Sequence, residues 1–424
     1  MSGNLRKSLL QFVFSGSYMK RWNDKLRLME LIEIDKQAHK MIVAWLLCRL
    51  SGKEKSPEER LALEEKVVEG GIFDYLFRLV ITDIKPPILY RIRENPEHHR
   101  QLTVWAVAEV EPHLRPLCEG FWQRFTYYFT QPKADSLAAD ILAAAHLYAS
   151  VWEFRLLRKL NDEFDDELPE IDRDFKARLA SYAHLPGMPE LIEGMDSQAS
   201  SCTGRTALAN FANLCGLLRF QKRWSQTPRI PETSVIGHMF IVACYSYFLS
   251  LIVGACPARR VNNFFCGLFH DLPELLTRDI ISPVKKSFAG LGQLIREYEE
   301  RELERRVLAP LQAEGHENIT ARLGYYLGLV SGSEFHDTII EDGKSRVVSF
   351  DDLQEMYNQN EYDPKDGEAT KMCDTLAAYI EAYTAIRNGI ASDQIQQAFW
   401  RLREQNAKAM LGNIHVGGLF TDFD

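Results

Sequence analysis

A histidine and an aspartate stand side by side at the end of an apolar run, and two more carboxylates follow them. The stretch FFCGLFHDLPELLTRDIISPVKK, residues 264–286, places His270 and Asp271 ahead of Glu274 and Asp279. Imidazole nitrogens and carboxylate oxygens both bind divalent transition metals. Because an isolated His-Asp pair also serves as a structural hydrogen bond, a metal site needs further ligands elsewhere in the chain.

Two further candidate ligands lie in apolar helical segments on either side of this stretch. His238 begins the segment HMFIVACYSYF, and Asp374 interrupts the segment KMCDTLAAYIEAY. An unpaired imidazole or carboxylate would be costly to bury among such neighbours, so each needs a partner. In chain order, the predicted ligands are His238, His270, Asp271 and Asp374. Two imidazoles and two carboxylates suit one divalent transition metal, with positions left for water.

The ordered set H…HD…D resembles the HD-domain phosphohydrolase superfamily, and within it the sequence is most similar to the bacterial 5′-deoxynucleotidase family. The likeness covers roughly residues 217–390, under half of the chain. Two motifs support the resemblance in addition to the predicted ligands. Arg223-Trp224 precedes His238 by fifteen residues, and a pattern like HDxxExLTxDxxxPVK runs from His270 to Lys285.

The resemblance implies a metal centre and an acid catalyst. The four predicted ligands would hold one divalent ion, drawn from Mn, Co, Zn, Ni, Fe and Mg, which lowers the pKa of a bound water. The catalytic residues would be Glu274 and the metal-binding Asp271. Of these, Glu274 would protonate the departing 5′-oxygen.

The resemblance also implies substrate contacts. Arg223 would grip the phosphate with its planar guanidinium, and Lys285 would neutralise phosphate charge. Trp224 would exclude a 2′-hydroxyl, and Asp279 would accept a hydrogen bond from the 3′-hydroxyl. Taken singly, these residues are equally compatible with a surface ion pair, core packing or a helix cap.

The implied activity is a metal-dependent removal of phosphate from nucleotides, with 5′-deoxynucleoside monophosphates as the leading substrate class. One enzymatic alternative is an HD-type dNTP triphosphohydrolase or another phosphoesterase. A nucleotide-binding regulatory protein with little catalysis is the alternative from a different class. Glu274 argues against that last reading, because binding alone needs no general acid. The expected partner is a small nucleotide, and a homodimer stays open as the assembly.

The chain departs from the family in three places. It carries about two hundred additional N-terminal residues. A second dyad, His336-Asp337, lies in a Gly-rich and charged stretch that is typical of a loop, so it is not predicted to bind the metal. Gly237 precedes His238 where the family commonly has an acidic residue, so we expect the orientation of His238 to be set differently.

Long apolar stretches recur at helical spacing, and alternating strand patterns are scarce, so the fold class is predicted to be all-α. Helices are predicted for residues 35–50, 134–158, 235–253, 292–308 and 368–387, the last ended by Asn388-Gly389. The small polar residues of 194–206 resemble a linker. We therefore divide the chain into a helical N-terminal domain, 1–199, and an HD-type helical bundle, 200–424.

The N-terminal domain could be a degenerate copy of the same fold. The segments 138–152 and 372–386 share D-x-L-A-A, which aligns Asp140 with Asp374. Thr82 then stands in place of the dyad histidine, and His39 stands where a first ligand helix would lie. A chance match between Ala- and Leu-rich helices explains these likenesses equally well.

Composition excludes some classes of function. A net charge of −9 and a pI near 5.8 give no reason to expect binding to duplex nucleic acid. The eight scattered cysteines lack CxxC pairs, and no secretory signal is evident, so a reducing cytoplasm is expected. Residues 239–256 are uncharged for eighteen residues, the lower limit for a membrane span, and are predicted to form a buried core helix.

Overall fold

The computed structural model describes residues 4–131, 136–195, 205–278, 290–390 and 392–423. The all-α prediction is confirmed, because helices dominate these ranges. The helices of the N-terminal half are α1 Lys7–Phe14, α2 Glu33–Ser51, α3 Pro57–Ile81, α4 Pro86–Glu94, α5 Pro96–Leu114, α6 Glu119–Thr130, α7 Leu137–Asn161, α8 Leu168–Ser181 and α9 Met188–Glu193. Those of the C-terminal half are α10 Ala207–Leu217, α11 Val235–Ile252, α12 Pro257–Phe269, α13 Glu274–Thr277, α14 Leu291–Leu303, α15 Ala309–Ala313, α16 Glu317–Tyr326, α17 Phe350–Glu355, α18 Gly367–Arg387, α19 Asp393–Asn406 and α20 Gly418–Thr421.

The strands of the described residues are short and pair as antiparallel hairpins. They are β1 Lys20–Arg21 with β2 Leu31–Ile32, β3 Thr338–Glu341 with β4 Lys344–Val347, and β5 Met410–Leu411 with β6 Ile414–His415. Single 3-10 turns cover Ser15–Ser17, Leu218–Phe220 and Asn360–Tyr362, and a π-helical turn, Glu304–Leu308, follows α14.

The predicted helices correspond to α2, α7, α11, α14 and α18. The segment 292–308 changes character at Glu304, where the α-helix gives way to the π-helical turn. Helix α18 ends at Arg387, and Gly389 follows with φ of 84°, a left-handed conformation that glycine adopts without a Cβ clash.

Helix α11 lies at the centre of the molecule and packs against α2, α12 and α18. By length and composition it could cross a membrane, but 89% of its residues are buried inside the protein. The prediction of a buried core helix is confirmed.

The two halves share one hydrophobic core. Its buried residues come from α2, α3 and α7 as well as from α11, α12 and α18. Trp45 of α2 makes an edge contact with Phe269 of α12, with ring centroids 4.8 Å apart. The predicted linker falls largely on residues 196–204, outside the described ranges, so the boundary near 200 stays a prediction.

Candidate metal centre

The first turn of α11 places His238. Ser234 caps this helix, since its hydroxyl oxygen accepts a hydrogen bond from Gly237 N at 3.0 Å. The same hydroxyl donates to Asp35 Oδ1, on α2, at 2.6 Å. Asp35 therefore brings an acidic group to the start of α11 from the other half of the chain, and a Cβ added at Gly237 would lie 2.6 Å from its oxygen.

The C-terminal end of α12 places His270 and Asp271. Pro257 starts this helix, and Phe269 is its last residue. His270 Nδ1 lies 2.8 Å from the carbonyl oxygen of Gly267, so Nδ1 carries the proton and donates it. In this tautomer Nε2 is unprotonated, and its lone pair faces the neighbouring carboxylates.

Helix α18 carries Asp374, and its N-terminus is anchored by buried polar groups. Asp366 accepts hydrogen bonds from Arg259 Nε at 2.6 Å and Asn263 Nδ2 at 2.8 Å, both on α12. Asp337 Oδ1 accepts from Glu368 N at 2.9 Å. These contacts fix α18 against α12, the helix that ends at the dyad.

The four predicted ligands converge. His238 Nε2 lies 3.1 Å from Asp374 Oδ1 and 3.7 Å from Asp271 Oδ2. His270 Nε2 lies 3.2 Å from Asp271 Oδ2 and 4.0 Å from Asp374 Oδ1. Both imidazoles are buried, and the two carboxylates are partly exposed.

This donor set fits one metal ion. Ligand atoms bound to the same ion at roughly 2.1 Å can lie no more than about 4.2 Å apart. The four distances between these imidazole nitrogens and carboxylate oxygens satisfy that limit. His270 Nε2 is buried and makes no hydrogen bond within the described part of the chain. A bound cation would satisfy its lone pair.

Electrostatics at the centre also favour a cation. Burial lowers the pKa of His238, and the Arg223 guanidinium lowers it further. Burial acts in the same direction on His270, but Asp271 and Asp374 outweigh it and raise its pKa above the ordinary value. Burial alone would raise the pKa of each carboxyl, but the two imidazoles and neighbouring cations hold both pKa values well below their usual range. The carboxylates are therefore ionised at neutral pH.

Arg223 lies beside the ligands. Its NH1 atom is 3.2 Å from Asp271 Oδ2, and its Nε atom is 3.5 Å from Glu381 Oε2. Trp224 donates its indole N–H to the same Glu381 oxygen at 2.8 Å. The buried carboxylate of Glu381 therefore contacts both residues of the predicted Arg-Trp pair beside the candidate metal centre.

Sequence reasoning missed Glu381 and Lys371. Glu381 is buried, accepts a hydrogen bond from Thr233 at 2.7 Å and lies 3.8 Å from His238 Nδ1. Lys371 donates to Asp374 Oδ2 at 2.8 Å. Lys371 lies three residues before Asp374 on α18, a helical interval that would have identified it. The partners of Glu381 come from a distant segment, so no such interval identifies it.

Glu274 is buried in the first turn of α13, three residues after Asp271. It lines a cleft of about 190 Å³ together with His270 and Asp271. The remaining lining residues are Pro273, Arg296, Glu299, Glu300, Leu303, Leu327, Leu329, Ser333 and Glu334. Glu274 therefore lines the same cleft as two of the predicted metal ligands.

Three other predicted features remain to be described, namely Asp279, Lys285 and the second dyad. Asp279 and Lys285 fall within 279–289, outside the described residues, and stay predictions. His336 is exposed and contacts the carbonyl of Ser331, whereas Asp337 is buried at the start of α18. The second dyad therefore supports a helix and contributes no ligand to the centre.

Residues 215–403 match the family described as HD domain. The matched segment is under half of the chain and contains all four converging ligands. The match supports the HD-domain superfamily that the motif order led us to expect, a class typical of metal-dependent phosphohydrolases. Searches of curated proteins and of solved structures found no match.

Proposed function

We propose that this protein is a metal-dependent phosphohydrolase that removes phosphate from nucleotides, with 5′-deoxynucleoside monophosphates as its principal substrates. The observation that carries the proposal is the convergence of His238, His270 and Asp374 with Asp271, beside the guanidinium of Arg223, whose NH1 atom is 3.2 Å from Asp271 Oδ2. A cation suited to phosphate thus stands next to the ligands of a metal ion.

The residues around the centre have different proposed roles in hydrolysis. A divalent metal at the four ligands would supply an acidified water and polarise a phosphoryl oxygen. Arg223 binds phosphate oxygens, while Glu381 holds its Nε side and keeps the guanidinium directed toward the ligands. Lys371 holds Asp374 in place and adds positive charge near the phosphate.

Glu274 is the proposed general acid. It is buried, lies in the cleft that also exposes Asp271, and follows the dyad by three residues. A carboxyl in such surroundings can hold a proton and deliver it to the departing 5′-oxygen. A protein that only bound nucleotides would have no use for this proton.

The charge of the cleft supports a monophosphate over a triphosphate. Among its described lining residues, Glu299, Glu300 and Glu334 add negative charge, and Arg296 is paired with Glu300 at 2.9 Å. A triphosphate carries more negative charge than a monophosphate and would be repelled more strongly along this wall.

The proposed preference for deoxyribose depends on Trp224 and Asp279. Trp224 is held by Glu381 and lies next to Arg223, so its ring can pack near the sugar of a nucleotide whose phosphate Arg223 binds. Asp279 is assigned the 3′-hydroxyl by the family resemblance.

Phosphate release from a panel of nucleotides tests the activity. Metal-stripped protein is refilled separately with Mn²⁺, Co²⁺, Zn²⁺ or Mg²⁺ and assayed with dAMP, AMP, dADP and dATP. We expect release from dAMP in at least one metal form. Hydrolysis of dATP alone would move the assignment to a triphosphohydrolase, and binding without turnover of any substrate would favour a regulatory protein.

Variants of the Arg-Trp pair test the substrate contacts. Arg223→Ala should raise KM roughly 10- to 150-fold, matching a lost charge-assisted contact of about 1.5–3 kcal/mol. Arg223→Lys should rescue only part of this, because an ammonium cannot form the two-pronged contact. Trp224→Ala should narrow the preference for dAMP over AMP. Equal hydrolysis of both by the wild type would reject the deoxyribose assignment.

A further inference from the structure

A backbone arrangement that precedes α11 occurs a second time before α2. Strand residues Lys20 and Ile32 pair in the N-terminal half, and Lys222 and Ser234 form the same bridge before α11. Lys222 follows Lys20 by 202 residues, and Ser234 follows Ile32 by the same 202 residues. The backbone hydrogen bond from Glu33 N to Met19 O, 2.8 Å, likewise has its equivalent from Val235 N to Gln221 O, 2.9 Å.

Both arrangements contain an Arg-Trp pair bound to a buried glutamate. Trp22 and Trp224 have left-handed backbones, with φ of 55° and 56°. Trp22 donates its indole N–H to Glu153 Oε2 at 3.0 Å, and Trp224 donates to Glu381 Oε2 at 2.8 Å. Glu153 on α7 is therefore the equivalent of Glu381 on α18.

The next helices correspond as well. Gly71 of α3 lies against Met41 of α2, and Gly267 of α12 lies against Ala243 of α11. Met41 and Ala243 are again 202 residues apart. Three residues after each glycine stand Asp74 and His270, which are therefore equivalent positions.

These anchors assign the N-terminal equivalents of the metal ligands. Lys36 corresponds to His238, Asp74 to His270, Tyr75 to Asp271 and His146 to Asp374, the last because each lies seven residues before its glutamate. The alignment expected from sequence, through Asp140, Thr82 and His39, is therefore wrong in register. His39 instead lies 2.9 Å from the carbonyl oxygen of Ala212 and contacts Arg219.

The substitutions remove the net negative charge that the two aspartates give to the metal centre. Lys36 Nζ lies 2.9 Å from His146 Nε2, in the position of the His238–Asp374 contact. Asp74 is bound to Lys40 at 2.6 Å, and the Tyr75 hydroxyl donates away from the pocket to Val13 O. No group of metal-binding side chains occurs within the described part of residues 7–161.

Lys36 is a buried amine whose hydrogen-bond contacts within the described structure do not include a carboxylate. It is 1% exposed, and its Nζ atom lies within 3.2 Å of both ring nitrogens of His146. The carboxylates nearby have other partners: Glu33 binds Arg21 and Gln37, and Glu153 binds Arg21 and Arg219. Burial and the charge of Arg21 hold the pKa of Lys36 well below its ordinary value, so an added anion would stabilise the ammonium.

The groups around Lys36 lie at the protein surface. His146 is exposed, and the side chain of Asp74 is 30% exposed, so solvent contacts two of the groups that surround the buried amine. We propose that residues 7–161 repeat the fold of the HD domain and that the pocket at Lys36 and His146 binds a small oxyanion, of the phosphate class, without a metal. When the anion is bound, the ammonium of Lys36 takes the place of the metal cation.

Phosphate binding to metal-stripped protein tests this. Inorganic phosphate is titrated by calorimetry into the Arg223→Ala variant, in which the arginine of the metal centre is absent. We expect one bound phosphate per chain. Adding Lys36→Met should weaken binding about tenfold or more, because a charged contact is lost. Lys176→Met, which removes an exposed lysine of α8, is the matched control and should change nothing.

His146→Ala provides a second variant at an exposed position that the fold should tolerate, and it should weaken phosphate binding too. Metal analysis of loaded wild type should give one ion per chain, and Lys36→Met should keep that ion. Absence of phosphate binding in the Arg223→Ala protein, binding that survives both pocket variants, or two metal ions per chain would overturn the proposal. None of these results depends on the nucleotidase activity.

Discussion

The two nitrogens of His270 have different environments, and this difference prepares the ring for a metal. Nδ1 donates to the Gly267 carbonyl, while Nε2 is buried, has no hydrogen bond within the described structure and faces Asp271. A fixed tautomer of this kind is what a metal-binding histidine requires.

His270→Ala should therefore remove both the metal and the activity. Metal affinity should fall by more than the roughly 10–100-fold that loss of an outer partner costs, because a direct ligand is deleted. Elemental analysis and phosphate release measure the two effects. His336→Ala changes an exposed histidine and is the matched control. Full metal occupancy in the His270 variant would contradict the site.

Glu274→Gln should separate chemistry from binding. The amide keeps the shape of the side chain but cannot deliver the proton, so kcat should fall roughly 10²–10⁴-fold while the metal is retained. Glu300→Gln, in the same cleft but paired with Arg296, should leave kcat nearly unchanged. Comparable losses in both variants would show that the cleft charge, rather than proton donation, controls turnover.

The sequence predicted which candidate ligands come together better than it predicted the residues that contact them. His238, His270, Asp271 and Asp374 follow from their order along the chain. Glu381 did not, because a single glutamate in an apolar helix gives no indication of its partners until Arg223 and Trp224 are brought to it from another segment. Contacts between distant segments are a property of the fold, and no local pattern encodes them.

At the scale of elements, the helix ends determine the geometry of the centre. His238 lies in the first turn of α11, and its backbone N–H bonds to the Ser234 carbonyl at 3.0 Å. The Ser234 hydroxyl connects this turn to Asp35 of α2. The cap thus fixes both the start of α11 and the contact between the two halves.

Ser234→Ala should destabilise the protein by about 1 kcal/mol, the usual cost of losing an N-cap, and should also weaken metal binding. Ser392→Ala removes the equivalent cap from α19 and is the matched control, with a similar loss of stability but unchanged metal affinity. Chemical denaturation and metal titration distinguish the two effects. Unchanged metal affinity in the Ser234 variant would show that the cap does not position His238.

Helix type and extent were predictable because apolar periodicity and terminal residues are local signals. The register of the proposed N-terminal repeat could not be predicted from such local signals. The D-x-L-A-A similarity placed Asp140 opposite Asp374, whereas Glu153 and Glu381 bind equivalent tryptophans and set the correspondence six residues later, at His146. Ala- and Leu-rich helices match one another at several registers, and only tertiary contacts select one.

At the scale of the whole molecule, the two halves are joined by buried polar contacts as well as by the shared core. Arg219, 1% exposed, reaches from the start of the C-terminal half to Glu153 at 3.0 Å and His39 at 3.2 Å. Tyr247 of α11 donates to Glu69 of α3 at 2.8 Å. Helix α11, which carries His238, is therefore held to the N-terminal half by a buried polar contact.

Arg219→Met should lower the stability of both halves together. The substitution keeps an apolar stem but leaves Glu153 with Arg21 as its remaining guanidinium partner, and breaking a buried pair costs about 3–5 kcal/mol. Urea unfolding is followed by far-UV circular dichroism and by phosphate release. Because the core is continuous, both probes should show one transition that moves to lower urea. Arg305→Ala, at an exposed ion pair, should leave the midpoint unchanged. Activity that persists after a separate first transition would show that the HD domain folds independently of the N-terminal half.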